Sequence, residues 1–292
     1  MKLLVKFNLI FFLFFGSGLA LVGWGADQFL RENARAQVIQ QAELMMEAAR
    51  AMRTYTTEQV KPLLEYRLTH SEKFLPQTVP AYGATTTFDF LRKKYPAYTY
   101  REATLNPTNL RDRAEDWEAD IINYFRNNPG KAELMGERDT PTGRSLYLSH
   151  PLAVSAPACL ECHNTPEHAP KSVLATYGSA NGFGWKLHEI VGAQIVAVPM
   201  SVPIAIADRA FRSLLVYLAA IFLVTILVID AALVFIVIRP IGTLASMADR
   251  VSKVEAELPE LPVKGRDEVA ALTASFNRMF VSLSKALKLL EE

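Results

Sequence analysis

The sequence predicts an α+β protein fixed in a membrane by two helices, and three observations predict it. Two long apolar stretches bracket the middle of the chain. A helix-forming run is followed there by short β-prone runs, and the tail repeats apolar residues at heptad spacing. The 292 residues include 31 Lys plus Arg and 30 Asp plus Glu, a formal net charge of +1. This balance carries no electrostatic footprint for nucleic acid, so none is expected as a partner. With 50% hydrophobic and 21% charged residues, intrinsic disorder and a disulfide-rich mini-scaffold are excluded.

The first stretch, Phe7 to Ala26, has 20 uncharged residues, and a spanning helix needs about 20. Signal peptides carry shorter apolar runs, of about 7–15 residues. The Ala34-Arg35-Ala36 match to a cleavage site lies beyond charged residues, so a retained anchor is expected. The second stretch, Ser213 to Ile238, has 26 residues and one charge, Asp230. A carboxylate at that depth is costly and calls for a partner or a dimer interface, unless it reaches water at the cytoplasmic end. Lys2 and Lys6 before the first span and Arg239 after the second put both termini in the cytoplasm. The expected organisation is therefore a tail and span over 1–26, an outer domain over 27–212, a second span over 213–238 and a cytoplasmic tail over 239–292. In a bacterium this places the outer domain in the periplasm and the chain in the inner membrane.

Residues 27 to about 75 are rich in Ala, Gln, Glu and Leu and lack Gly, which predicts a long helix kinked at Pro62. From 76 to 116 the Pro, Tyr, Thr and Asn content predicts loops, turns and short helices. A compact helix follows at Trp117–Asn127, stopped by Asn128-Pro129-Gly130. Ser145–Ser149 and Glu189–Val198 read as strands of a small sheet. Beyond the second span, two helical stretches flank a connector, Leu258-Pro259-Glu260-Leu261-Pro262. The second stretch places Val269, Leu272, Phe276, Met279, Leu283, Ala286 and Leu290 at spacings of three and four. Ile241, Leu244, Ala248 and Val251 do the same over a shorter run, predicting a parallel coiled-coil bundle and a homodimer.

The two cysteines fall in Cys159-Leu160-Glu161-Cys162-His163, the c-type haem attachment pattern. Two thiols at this spacing reach the two vinyl groups of one porphyrin, and the adjacent imidazole falls under the iron. Attachment takes place outside the cytoplasm, where the topology independently puts the motif. One covalent haem c per chain is expected, held by Cys159 and Cys162 with His163 on the metal. Three other chemistries use such residues. A thiol oxidoreductase normally has its pair opening a helix after a strand, whereas Pro157 and Asn164-Thr165-Pro166 read as a loop. Structural zinc needs a fourth ligand, with His150, His168 or His188 available, and a disulfide in so tight a loop is strained. For the sixth iron position, His70, His150, His168 and His188 compete with Met45, Met46 and Met52, and an open site would admit a diatomic gas. Methionines at helical spacing are more often core packing, although a thioether is an established haem ligand. Phe183-Gly184-Trp185 and Tyr177 wall a porphyrin or are plain core. Arg144 and Lys186 pair with propionates or are solvated surface.

Three stretches carry a family resemblance: Tyr55 to Leu64 (YTTEQVKPLL), Cys159 to His163, and the strand ending Gly192-Ala193-Gln194-Ile195. Through them the outer segment resembles the c-type haem-binding, PAS-like sensor domains of bacterial membrane signalling proteins. The tail, with Pro240, Asp267-Glu268-Val269 and Phe276-Asn277-Arg278-Met279, is similar to a HAMP linker. The resemblance implies a haem between the long N-terminal helix and a PAS-like sheet. In some relatives a cysteine on that helix is the second axial ligand. This chain has no third cysteine, so Met46, or Met45 or Met52, takes that place. Relatives usually continue into a kinase, cyclase or chemoreceptor module. Here the chain ends at Glu292 without a nucleotide-binding or catalytic motif, so no catalytic residue is expected. The output is expected from a separate cytoplasmic protein, from dimer geometry, or from a longer chain of which this is a fragment. The function so implied is a haem sensor that turns redox or ligand state, set by a redox partner or a diatomic gas, into a HAMP-borne signal. The alternative is a membrane-anchored monohaem cytochrome that passes electrons.

Overall fold

The computed structural model describes residues 3–70, 73–141, 143–253 and 259–291. Lys2, Leu258 and the side chain of Leu290, used above, lie outside the described residues. The helices are α1 Leu3–Tyr55, α2 Lys61–His70, α3 Pro80–Arg92, α4 Asp116–Asn127, α5 Leu160–His163, α6 Lys171–Tyr177, α7 Ser201–Ala232, α8 Arg239–Ser252 and α9 Glu268–Glu291. The strands are β1 Thr99–Thr104, β2 Leu134–Thr140, β3 Gly143–Ala153 and β4 Ile190–Pro199. Two units result, Gln28–Ala210 and Met1–Asp27 with Phe211–Glu292.

In the Gln28–Ala210 unit the strands form one antiparallel sheet in the order β1-β4-β3-β2. β4 is interior and covered on both faces, which is why its sequence reads as an almost unbroken apolar run. Side chains alternate between faces along a strand. Val196 and Val198 join Leu146 and Leu148 beneath Val38, Ala42, Met46 and Ala49 of α1. Ala193 and Ile195 turn the other way, onto Ile121, Ile122 and Phe125 of α4. The α1 contacts recur at spacings of four, four and three, one face of a helix, and two of them are alanines, which let the helix lie close to the sheet.

Three elements go beyond the sequence expectation for the Pro- and Thr-rich segment and its surroundings. α3 starts at Pro80, and Ala84 and Phe88 are its contribution to the core. Its Gly and Thr residues are weak helix formers, so packing holds this helix more than propensity does. β1 was hidden by its charges: Glu102, buried on one face, is paired with Arg53 of α1, and Arg101 meets Glu118 on the other. β2 is an edge strand whose charged residues mask the alternation. The helix expected from residue 27 continues the first apolar stretch and runs unbroken from Leu3. Its interruption takes the form of a π turn at Thr56–Val60. Pro62 lacks the N–H that would bond the carbonyl of residue 58, and the wider turn absorbs that mismatch.

In the other unit, α1 and α7 each contain a segment long and apolar enough to cross a membrane. They meet at Phe11, Phe12 and Phe222, whose rings lie 5.7 and 5.4 Å apart, and at Gly23 with Leu215. Asp230 has a partner inside this pair: Asn8 Nδ2 donates to its Oδ2 at 3.1 Å. A second π turn, Leu233–Ile238, precedes Pro240 for the same reason as the first. α8 and α9 pack through Leu244, Met247, Ala270 and Thr273, while Asn277 clamps the connector by bonding both the N–H and the carbonyl of Leu261. Here the structure departs from the expected seam, since Ile241, Leu272, Met279 and Leu283 are exposed. Within one copy Leu244 of the seam is buried and Val251, Val269 and Phe276 are half-buried, whereas the rest of the described seam stays open.

Candidate functional site

The Cys-x-x-Cys-His stretch begins at Cys159, six residues after β3 ends at Ala153. A 3₁₀ turn at Pro157–Cys159 runs into the single turn of α5. The expectation of a loop is therefore corrected: Pro157 initiates a turn, where its fixed φ and missing N–H are tolerated. Position no longer argues against a redox-active thiol pair, but chemistry does. Cys159 and Cys162 are free thiols, and burial pushes the Cys162 thiol up, with Glu161 adding to the effect. A reactive cysteine needs the opposite shift, towards the thiolate. The helical turn also brings Cys159, Cys162 and His163 onto one short segment, as a two-point attachment requires.

His163 is held on three sides. Its Nδ1 lies 2.8 Å from the carbonyl oxygen of Gly182 and 3.3 Å from Thr108 Oγ1. A carbonyl only accepts, so Nδ1 carries the proton and Nε2 carries the lone pair. The imidazole stacks on Trp185 at 3.8 Å and 9°. Burial lowers its pKa, although the Gly182 carbonyl works in the other direction, and the ring is therefore neutral. No hydrogen bond from the described residues occupies Nε2. An imidazole oriented by Nδ1–H to a backbone carbonyl, with Nε2 available, is the arrangement found in metal-ligating histidines.

The loop that supplies this carbonyl is pinned by short bonds. Gly184 N–H donates to Asn164 O at 2.6 Å and Trp185 N–H to His163 O at 3.1 Å. Asn106 accepts from Gly182 N–H and donates to Phe183 O, at 3.0 and 3.2 Å. Gly182 has φ +85° and lies against the Thr108 backbone, where a Cβ would come within 2.7 Å of Thr108 Cα. Only glycine fits this position without displacing the carbonyl. Asn106, Thr108 and Gly182 were not singled out from the sequence, and the Gly-rich SANGFG run was the one signal there.

The remaining sequence candidates lie elsewhere. Met46 is 1% exposed in the core between α1 and the sheet, and among the described residues that core contains none of Cys159, Cys162 and His163. Met45 and Met52 pack at its margin. Farther along α1, Arg53 lies within electrostatic reach of Cys159, and Lys61 of α2 within reach of Cys162. His150, on β3 opposite Gln194, has Glu133 at 4.0 Å. His168 meets Thr165, and His70 stacks on Tyr66. Arg144 pairs with Glu137 on the β2–β3 hairpin. Tyr177 packs edge-on against Phe74. Among the described residues no three His, Cys, Asp or Glu side chains gather as a metal cluster, so zinc has no ready-made cage. A porphyrin asks less of the protein, two thiols and one imidazole, and the residues present fit it.

These features define a membrane-associated protein with an α+β domain joined through its terminal elements to two apolar helices and a helical tail. Residues 31–199, more than half of the chain, match the Tll0287-like family, and residues 233–285 match the HAMP domain. The chain belongs to the Tll0287-like family, with a HAMP domain following the family segment. Among solved structures it is similar to the cyanobacterial heme-protein Tll0287, at 15% identity over 55% of this chain and 94% of that one, with a TM-score of 0.42. No curated protein matches it.

Proposed function

We propose that the chain is a membrane-anchored haem-binding sensor that passes a signal to a separate cytoplasmic protein through its HAMP domain. The observation that carries this reading is His163: neutral, fixed in one tautomer by Gly182, and one residue from a free thiol in a Cys-x-x-Cys turn. Cys159 and Cys162 would hold one haem c by thioether bonds, and His163 Nε2 would bind its iron. When bound, the group supplies a metal centre whose oxidation state and axial ligation respond to a redox partner or a diatomic gas. Family membership and the resemblance of the sequence to c-type sensor domains point the same way.

Met46 is the proposed sixth ligand from the sequence, and the packing refines that choice. Moving its side chain out of the core would leave a cavity that typically costs about 2–5 kcal/mol for a residue of this size. Met52, half-buried at the margin of the same core and next to Arg53, would leave that core with less disturbance. Met52 is therefore preferred and Met46 is second.

Signal transfer follows from continuity of the chain. α1 leaves the sheet as one helix down to Leu3, and β4 ends at Pro199, one residue before α7. A shift of α1 against the sheet thus enters both spans. The inner membrane, with the haem domain in the periplasm, is the proposed location, and sensing rather than catalysis is the proposed role.

The test is a reduced-minus-oxidised pyridine haemochrome spectrum of protein made with a c-haem maturation system. A c-type spectrum that survives acid-acetone extraction is expected. Its absence, with a matured control in hand, would overturn the reading and favour a thiol enzyme. Deleting residues 240–292 separates sensor from electron-carrying cytochrome: haem reduction by a redox partner survives in both, and loss of a downstream response is expected only for the sensor.

A further inference from the structure

We infer that the outer face of α1, outside the membrane, is the surface on which a second copy of this chain pairs in parallel. The observation is a stripe of eight uncharged residues, Phe29, Asn33, Gln37, Gln40, Leu44, Ala48, Ala51 and Tyr55, and every one of them is exposed. Their spacings are 4, 4, 3, 4, 4, 3 and 4. From Phe29 to Gln40, from Gln40 to Ala51 and from Leu44 to Tyr55, the pattern repeats every 11 residues. An 11-residue repeat averages about 3.67 residues per turn, close to a straight helix, so the stripe stays on one side over its length. The residues that meet the sheet, Val38, Ala42, Met46 and Ala49, lie on the opposite side at about 100° per residue.

Exposure alone does not select a partner, but three features select an identical one. First, seven charged residues lie between Gln28 and Tyr55, namely Arg31, Glu32, Arg35, Glu43, Glu47, Arg50 and Arg53, and none is a member of the stripe, Glu47 alone bordering it. In a parallel two-fold pair each seam residue faces its own copy. Any charge there would face a like charge, so self-pairing demands this exclusion and pairing with a different protein does not. Second, the polar members are Asn33, Gln37 and Gln40. A carboxamide both donates and accepts, so each can bond its own copy across the axis. Third, Leu44, Ala48, Ala51 and Tyr55 make the distal half apolar, with Leu44 71% and Tyr55 56% exposed. Bare apolar side chains of this size on a helix face indicate an interaction surface. The direction is parallel because α1 runs unbroken from its apolar span into the stripe, so both copies leave one membrane with the same sense. The stripe shares no residue with Cys159, Cys162 and His163, and the inference does not depend on haem.

The experiment is disulfide crosslinking of the full-length chain in membranes, with single Cys substitutions. Gln37→Cys, Gln40→Cys and Ala48→Cys lie on the stripe; Glu43→Cys and Arg50→Cys lie beside it; the parent chain controls for Cys159 and Cys162. Stripe positions are expected to give at least about fivefold more covalent dimer than the flanking ones. Adding Leu44→Glu to Gln40→Cys is expected to reduce that dimer severalfold, because each copy then brings a carboxylate to the seam. Equal crosslinking at all five positions, a maximum at Glu43 or Arg50, no dimer at any position, or crosslinks only to another protein would each overturn the inference. All substituted positions are on the surface, so folding is not at stake.

Discussion

Two parts of the Gln28–Ala210 unit are held together by different forces. The core around Met46 is apolar and made by regular elements: four α1 side chains lie on Leu146, Leu148, Val196 and Val198. The site around His163 is made by loops and a single helical turn, and polar bonds hold it: Gly182 O and Thr108 on the imidazole, Asn106 and Asn164 on the loop. Apolar packing tolerates substitutions of similar volume, since it has no direction. A hydrogen-bonded loop does not, because each bond fixes an angle. The core should thus respond to mutation in stability, and the site in ligation.

The largest expected effect breaks that comparison at the attachment point. Cys159→Ala with Cys162→Ala should abolish covalent haem outright, read by the haemochrome band after acid-acetone extraction. His163→Ala should leave attachment possible but change the axial-ligand spectrum. Next comes the contrast between two methionines. Met46→Ala should lower unfolding free energy by about 2–5 kcal/mol and Met46→Leu by less than about 1.5 kcal/mol, measured by denaturant unfolding. Met52→Leu should instead alter the low-spin spectrum of the haem protein at little cost in stability. A spectral change from Met46→Leu with none from Met52→Leu would reverse the ligand assignment.

A third effect is smaller and tests the loop itself. Gly182→Ala forces a side chain against Thr108 at positive φ, with strain of order 1–3 kcal/mol. It should also weaken the bond that fixes the His163 tautomer, seen as a changed reduction potential. The smallest effect lies back in the regular core. Burial holds the Glu118 carboxyl above the usual carboxylate range, while the Glu115 N–H and Arg101 pull it down. The native state then keeps this proton at a pH where the unfolded chain has released it. Stability should fall as pH rises through the ordinary carboxylate value and level off above the native one. Glu118→Gln should remove that slope in unfolding curves taken from pH 4 to pH 7.

Much of this was legible without coordinates, and the reasons differ by element. The spans were visible because about 20 uncharged residues have few other uses, and β4 because an interior strand needs both faces apolar. β1 was not visible, because Glu102 and Arg101 make sense in a strand only once Arg53 and Glu118 arrive from distant helices. A short helix was expected in the segment that holds α3, but its bounds were not legible, because its Gly and Thr residues are weak helix formers.

The sequence by itself determined the chemistry: two thiols and an imidazole at one spacing, and two apolar spans. Each is a property of neighbours along the chain. Only the tertiary structure decided how that chemistry is set. The Nδ1 proton of His163 is fixed by Gly182, 19 residues away, and Thr108 lies 55 residues away. Met46 is core because β3 and β4 pass beneath it. A hydrogen-bond angle and a packed contact depend on positions in space, and a tautomer or a buried thioether follows from those positions.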